Sequence, residues 1–71
     1  MSRKDILTNM RAILSLLSNK EEYSIKRISY EINAHWQTTL KALEFLKETN
    51  IVKERLGEED NRKTRLFSLN N

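Results

Sequence analysis

The sequence contains no cysteine and no proline, and Gly57 is its only glycine. Without cysteine the chain can form neither a disulfide nor a thiolate metal site. Without proline nothing interrupts its helix-forming segments. A chain of 71 residues hides only roughly 60% of the surface that it exposes when unfolded, so its stability depends on efficient helix packing or on a partner subunit. We therefore expect one small domain over residues 1–71.

Long apolar runs are also missing. No segment is long enough to cross a bilayer, and Met1 to Asp5 leads into an amphipathic pattern rather than the apolar core of a secretory signal. These features predict a cytoplasmic protein without membrane contact. Hydrophobic residues make up 38% of the chain and charged residues 32%, which is typical of a folded domain rather than a disordered one.

Groupings of residues typical of catalysis or metal binding are missing as well. His35 is the only histidine, so no serine has a histidine–carboxylate pair to activate it, and no glycine-rich phosphate loop is present. The carboxylates lie along helix faces or gather at Glu58, Glu59 and Asp60, and neither arrangement indicates an acid/base pair. We predict that the chain is not an enzyme and uses no cofactor or metal.

The spacing of apolar residues predicts two helices in the first half of the chain. Between residues 6 and 17 they recur every three or four positions, and Ser2 to Asp5 can form a capping box before them. Ser24 is a good N-cap for a second helix, whose inward positions include the small residue Ser29. Asn33 follows, and asparagine readily adopts the left-handed conformation that ends a helix.

A third helix is expected from about His35 or Trp36 to Thr49, with Asn50 ending it in the same way. Its inward positions are Thr39, Leu43 and Leu46, with Trp36, Leu40 and Ala42 at the margins. The link between the second and third helices is only a few residues long. This arrangement is typical of a helix-turn-helix, in which a small residue such as Ser29 allows the two helices to cross closely.

Two β-patterned runs follow, at residues 51–56 and 64–69. We expect them to form an antiparallel hairpin. Gly57 would begin the link, and the polar run from Glu58 to Arg62 would complete a loop longer than the tightest turns. Tyr23 can add a short third strand.

Opposite its inward side, the third helix carries polar residues that suit a major groove. Gln37 can pair with adenine, Lys41 with guanine or phosphate, and Thr38 with a base or a phosphate oxygen. The free backbone N–H groups at helix starts are phosphate sites, and Lys26 and Arg27 stand beside the first of them. A net charge of +3 and a pI near 9.5 also suit a polyanionic partner.

The segment from Tyr23 to Glu54 resembles the helix-turn-helix of winged-helix transcription regulators, a group that includes MarR-like, ArsR-like and small archaeal repressors. The matching features are a capping hydroxyl at Ser24, turn residues at Asn33 and Asn50, and the inward positions of the third helix. Residues 57–69 resemble the wing of these proteins. The resemblance implies an α+β fold of three helices and a small antiparallel β-hairpin wing, with the helix-turn-helix at about residues 24–49 and the wing at about residues 51–69.

From the resemblance, the residues that line the groove or contact bases would be Trp36, Gln37, Thr38 and Lys41. The phosphate contacts of the wing would be Arg62, Lys63 and Arg65. The wing tip departs from the family pattern, because Glu58, Glu59 and Asp60 form a negative cluster where a basic tip is usual.

Some of these residues also have a purely structural interpretation. Trp36 is either a stacking residue or a half-buried packing residue, and His35 is either an N-cap or a phosphate donor. Lys26, Arg27 and Lys41 could form a plain solvated face. Leu16, Leu40 and Phe45 lie outside the narrow core stripe, which indicates either a wider core or a self-association surface.

We predict a transcriptional regulator that binds double-stranded DNA sequence-specifically, with the third helix in the major groove and the wing on the backbone. The sequence does not indicate the operator, an effector, or activation as opposed to repression. The alternative is a winged-helix module that binds another protein and no DNA, which the acidic tip favours. RNA binding is a weaker option, because the five aromatic residues mostly take inferred core positions. One such module makes few base contacts, so we expect a homodimer that pairs through the first helix.

Overall fold

The computed structural model describes residues 6–70, which fold into three helices and a three-stranded antiparallel sheet. In chain order the elements are α1 (Ile6–Leu17), β1 (Tyr23–Ser24), α2 (Ile25–Ile32), α3 (Trp36–Glu48), β2 (Val52–Glu59) and β3 (Arg62–Leu69). The predicted α+β class and order of elements are confirmed. The capping box predicted for Ser2 to Asp5 lies outside the described residues. Within residues 6–70, no helix has the length and apolar character needed to span a membrane.

The core lies between the inner faces of the helices and one face of the sheet. Its most deeply buried apolar side chains are Ile13, Leu17, Ile28, Leu43, Leu46, Val52 and Phe67. Thr39, Leu43 and Leu46 point inward from α3 as predicted. Ala42, expected at the margin, is also fully buried, so the inward stripe of α3 is one position wider than its spacing indicated.

The link between α2 and α3 is a sharp turn at Asn33. This residue has φ 57° and ψ 51°, the left-handed conformation. The Asn33 backbone N–H donates to the Tyr30 carbonyl at 3.3 Å, and the Ala34 N–H donates to the Ser29 carbonyl at 3.0 Å. These bonds satisfy carbonyls that the end of α2 would otherwise leave unpaired. Asn50, at φ 63°, repeats the conformation after α3, so both predicted turns are confirmed.

β3 is the central strand of the sheet, whose order is β1-β3-β2. Tyr23 pairs with Phe67 on one side of β3, and Val52 pairs with Leu69 on the other. The short third strand predicted at Tyr23 is therefore confirmed. Because β1 leads directly into α2, its pairing with β3 places the start of the helix-turn-helix beside the hairpin.

The long hairpin loop predicted from the sequence is wrong. Strand pairing continues as far as Glu59 and Arg62, which leaves only Asp60 and Asn61 in the turn. These two residues have φ values of 53° and 65°. Two-residue turns of type I′ require positive φ at both positions, and Asp and Asn are among the residues that tolerate it.

Gly57 also lies elsewhere than predicted, since it does not begin the hairpin link. It sits within β2, paired with Thr64. A Cβ atom at this position would lie 2.3 Å from Cδ1 of Leu66, a diagonal neighbour on β3. The absence of a side chain at Gly57 therefore leaves room for the Leu66 side chain across the sheet, and the glycine does not form a turn.

Candidate nucleic-acid interface

The start of α2 is fixed by Ser24 and carries two basic side chains. The buried Ser24 Oγ accepts a hydrogen bond from the Arg27 backbone N–H at 3.1 Å. The Arg27 guanidinium is itself engaged, with its Nε 2.9 Å from Glu31 Oε2 and its Cζ 5.7 Å from the centre of the Tyr23 ring. Lys26 forms no ion pair within the described part of the chain, so its charge is available to a ligand.

The start of α3 is capped by His35. Its Nδ1 accepts a hydrogen bond from the Gln37 backbone N–H at 3.2 Å, and its carbonyl accepts one from the Thr39 N–H at 3.0 Å. Of the two roles considered for His35, the structure shows the N-cap. The rings of His35 and Trp36 stack with their centres 6.5 Å apart, and Trp36 is 53% exposed. An aromatic pair thus stands at the surface where α3 begins.

Two rows of side chains run along the exposed side of α3. Gln37 and Lys41, one turn apart, form the polar row, and Trp36 and Leu40 form the apolar row beside it. Together with Thr38 they line a cleft of about 500 Å³ at the N-terminal end of the helix. No ion pair among residues 6–70 engages Lys41. The structure thus brings together the four residues that the resemblance implied for groove and base contacts.

Glu54 on β2 ties the hairpin to α3. Its Oε1 lies 2.6 Å from Lys47 Nζ on α3, and its Oε2 lies 2.5 Å from Arg65 Nε on β3. The Glu54 side chain is only 19% exposed. Hydrogen bonds from Arg65 and then from Lys47 lower the pKa of the Glu54 carboxyl from its ordinary 4.5 to about 2. The carboxylate therefore stays charged at neutral pH, and it connects β2 to both α3 and β3.

Arg65, predicted as a phosphate contact, belongs to the same cluster of ion pairs. Its Nε and Nη2 both donate to Glu54, and Nη2 also lies 3.7 Å from Glu44 Oε2 on α3. Its Cζ lies 5.4 Å from the centre of the Phe67 ring. Because its guanidinium is already paired with these carboxylates, Arg65 is less available to a phosphate than Arg62 or Lys63.

Arg62 and Lys63 lie at the hairpin tip among acidic residues. Glu59 pairs with Arg62 across the strands, and Glu58 pairs with Lys63, so that opposite charges face each other. The tip lies beside the first turn of α2. One cleft of about 580 Å³ is lined by Lys26, Glu59, Asp60, Arg62, Lys63 and Thr64. The acidic residues of β2 at the tip therefore stand opposite basic residues of β3.

The sequence analysis missed two residues of this surface. Glu54 was treated only as part of a strand, and its partners come from α3 and β3, which sequence spacing does not bring together. Leu40 was noted only as an apolar residue outside the core stripe. Its position four residues after Trp36 was a usable signal, because residues at that spacing share one face of a helix.

Neither the protein-family models nor the curated proteins gave a match to the chain. Solved structures are similar to most of it. Stf76 from the Sulfolobus islandicus plasmid-virus pSSVx matches with a TM-score of 0.79 and 21% identity over 89% of this chain and 82% of that one. The Zalpha domain of Carassius auratus PKZ, in complex with Z-DNA, matches with a TM-score of 0.72 and 20% identity over 90% of this chain and 95% of that one. At these identities the likeness concerns the fold alone.

A MarR family regulator from Neisseria meningitidis is similar with a TM-score of 0.70 and 30% identity over 86% of this chain. The chain spans only 42% of the length of that regulator. Three helices followed by a β-hairpin are common to this chain and the structures that it matches. The chain therefore has the winged helix-turn-helix fold of DNA-binding proteins, as the resemblance implied.

Proposed function

We propose that this winged helix-turn-helix chain is a transcriptional regulator that binds double-stranded DNA sequence-specifically through α3. The observation that carries the proposal is the polar row of Gln37 and Lys41, which is exposed and free of internal ion pairs in the described chain. We place α3 in the major groove with this row toward the base edges, where glutamine pairs with adenine and lysine with guanine or phosphate. The β2–β3 hairpin, the wing of this fold, would lie along the flanking backbone.

The phosphate contacts in this proposal come from the basic side chains that surround α3. Lys26 at the start of α2 and Lys63 and Arg62 on the wing share one cleft. Arg27 would contribute less, because its guanidinium is already paired with Glu31. About six phosphate contacts per site would make the affinity fall with roughly the fifth power of the salt concentration, since each contact contributes about 0.9 to the slope.

Two of the similar proteins support this assignment. One is described as a MarR family regulator, and the Zalpha domain is in complex with Z-DNA. We propose B-form DNA for this chain because side-chain hydrogen bonding by Gln37 and Lys41 suits the base edges of the B-form major groove. Z-form DNA then serves as a comparison in the test.

In vitro selection from a random duplex library tests the proposal. We expect a recurring motif and at least tenfold tighter binding of the enriched duplex than of a scrambled duplex with the same composition. Z-form DNA and double-stranded RNA of similar length should bind no better than the scrambled duplex. Enrichment without any motif, or equal affinity for all four nucleic acids, would contradict sequence-specific binding.

We also propose that the chain acts as a homodimer through α1. Ile6 and Leu7, at the start of this helix, are exposed. One small module contacts too few bases for high specificity, and two-fold pairing doubles the site. The selected motif should then consist of two symmetric half-sites. Sedimentation equilibrium that shows only monomer at high concentration would contradict the dimer.

A second candidate function is binding to another protein without any DNA role. The exposure of Phe45 (51%), Ile51 (40%) and Leu56 (70%) favours it, because large apolar side chains at the surface are typical of protein contacts. Failure to bind any duplex, together with a protein partner whose affinity does not depend on salt, would select this function over DNA binding.

A further inference from the structure

We infer that Trp36 and Leu40 contact the 5-methyl group of a thymine in the preferred duplex. This inference rests on the proposed DNA binding and adds the identity of one base to it. It assigns a specificity role to Leu40, which the proposed function leaves without one.

The two side chains form one continuous apolar surface. Their four-residue spacing places them one turn apart on the same face of α3. Trp36 is 53% exposed and Leu40 is partly exposed. The row borders the inward stripe of α3, and the exposed part of both side chains is left uncovered by the described chain. A partner that covers it would remove apolar surface from water, which favours binding.

Thymine is the base whose chemistry fits this surface. It is the only one of the four bases with a methyl group at its major-groove edge. The apolar row shares its cleft with Gln37 and Lys41. A glutamine that pairs with adenine in an A·T-containing site holds the helix where a thymine methyl group is within reach of the apolar row. The unpaired charge of Lys41 also complements a polyanion rather than an apolar protein surface.

Replacement of thymine by deoxyuridine tests the inference directly. Deoxyuridine lacks the 5-methyl group but keeps every hydrogen-bonding atom of thymine. In the selected duplex, each thymine is replaced in turn and the affinity is measured by fluorescence anisotropy. We expect one position per half-site at which the replacement weakens binding roughly fourfold, which corresponds to loss of one buried methyl group.

Two variants assign the effect to the apolar row. Leu40→Ala should reduce the difference in affinity between the thymine and deoxyuridine duplexes, because one of the two side chains that contact the methyl group is gone. Phe45→Ala is the matched control, since Phe45 is an exposed apolar residue of α3 outside the cleft. It should keep the fourfold difference. Circular dichroism tests whether both variants are folded. If Leu40→Ala does not fold, the deoxyuridine replacements measured with the unaltered chain still test the inference.

Two results would overturn the inference and leave DNA binding intact. One is equal affinity of the unaltered chain for the selected duplex and every deoxyuridine version of it. The other is a Leu40→Ala variant that keeps the full difference. If Leu40→Ala changes the sedimentation of the chain and no thymine is sensitive, the apolar row is a protein contact and the inference is wrong. If no duplex is enriched at all, the proposed function fails as well.

Discussion

Lys47 on α3 and Glu54 on β2 are joined by an ion pair with 2.6 Å between Nζ and Oε1. Between them the chain leaves the helix through the left-handed Asn50 and enters the sheet. Because Glu54 also holds Arg65 on β3, one carboxylate connects both strands of the wing to the helix proposed to enter the major groove. We therefore expect Glu54 to help fix the angle between the wing and the polar row of α3.

Glu54→Gln should lower the free energy of unfolding by about 1–2 kcal/mol, because a neutral amide leaves Lys47 without its charged acceptor and Arg65 with only the more distant Glu44. In a chain of this size, that loss corresponds to a decrease in Tm of roughly 5–10 °C. Urea and thermal unfolding at pH 7 measure it. The affinity for the selected duplex should also fall, because the wing would no longer be held at one angle to α3.

Glu22→Gln is the matched control for this change. Glu22 forms an ion pair with Arg55 through two hydrogen bonds, but these side chains are more exposed than Glu54, at 32% and 60%, and neither belongs to α3. Its replacement should have a much smaller effect on stability and none on DNA affinity. Equal losses from the two variants would contradict the anchoring role of Glu54.

The pH dependence of stability should differ between the unaltered chain and Glu54→Gln. The pKa of Glu54 is about 2 in the folded chain and 4.5 when the carboxyl has no partners, as in the unfolded chain. As the pH falls, the unfolded chain therefore binds this proton before the folded chain does. The stabilisation is therefore complete above about pH 4.5 and is lost as the pH falls toward 2. Urea unfolding at several pH values should show the difference between the two proteins disappear over this range. A difference that persists at pH 2 would mean that the charge of Glu54 is not its source.

Asn33→Ala should destabilise the chain by about 1 kcal/mol, because a residue with an ordinary Cβ is disfavoured at φ 57°. Asn33→Gly should leave the stability within a few tenths of a kcal/mol, since glycine adopts this conformation without strain. Urea unfolding of the three proteins measures both effects. Equal stability of the alanine and glycine variants would show that the left-handed turn between α2 and α3 does not constrain the fold.

Lys41→Glu should weaken binding to the selected duplex by at least about 1–3 kcal/mol if Lys41 contacts a base. Lys53→Glu makes the same change in net charge at an exposed position of β2, and strand alternation puts Lys53 on the face opposite Glu54. Anisotropy titrations at fixed salt concentration compare the two variants. The proposal requires the larger loss at Lys41, and equal losses would indicate that only the overall charge matters.

The sequence predicted the parts of the fold that depend on neighbouring residues. Ser24 as a cap and Asn33 as a turn follow from the chemistry of single side chains, and both are confirmed. The position of the hairpin turn could not be predicted from single side chains in this way. Its position depends on pairing of Glu58 and Glu59 with the opposite strand, and a lone glycine at Gly57 is a stronger local signal than Asp60 and Asn61.

The candidate interface was predictable to a similar extent. Helical spacing determines that Gln37 and Lys41 share one face of α3, so their common exposure could be inferred from the sequence. The pairing of Arg65 could not be inferred, because Glu44 and Glu54 come from different elements and meet it only in the folded chain. Long-range ion pairs thus determine which basic side chains are already engaged within the described chain.

Amide chemical-shift mapping during titration with the selected duplex tests the central claim most directly. If α3 enters the major groove, the largest changes should fall on residues 36–41, with smaller ones at Lys26 and Lys63. Residues 20–22 and Lys53, on the far side of the sheet, should remain unchanged. A titration that leaves residues 36–41 unchanged, or whose largest changes surround Phe45 and Ile51, would contradict the account.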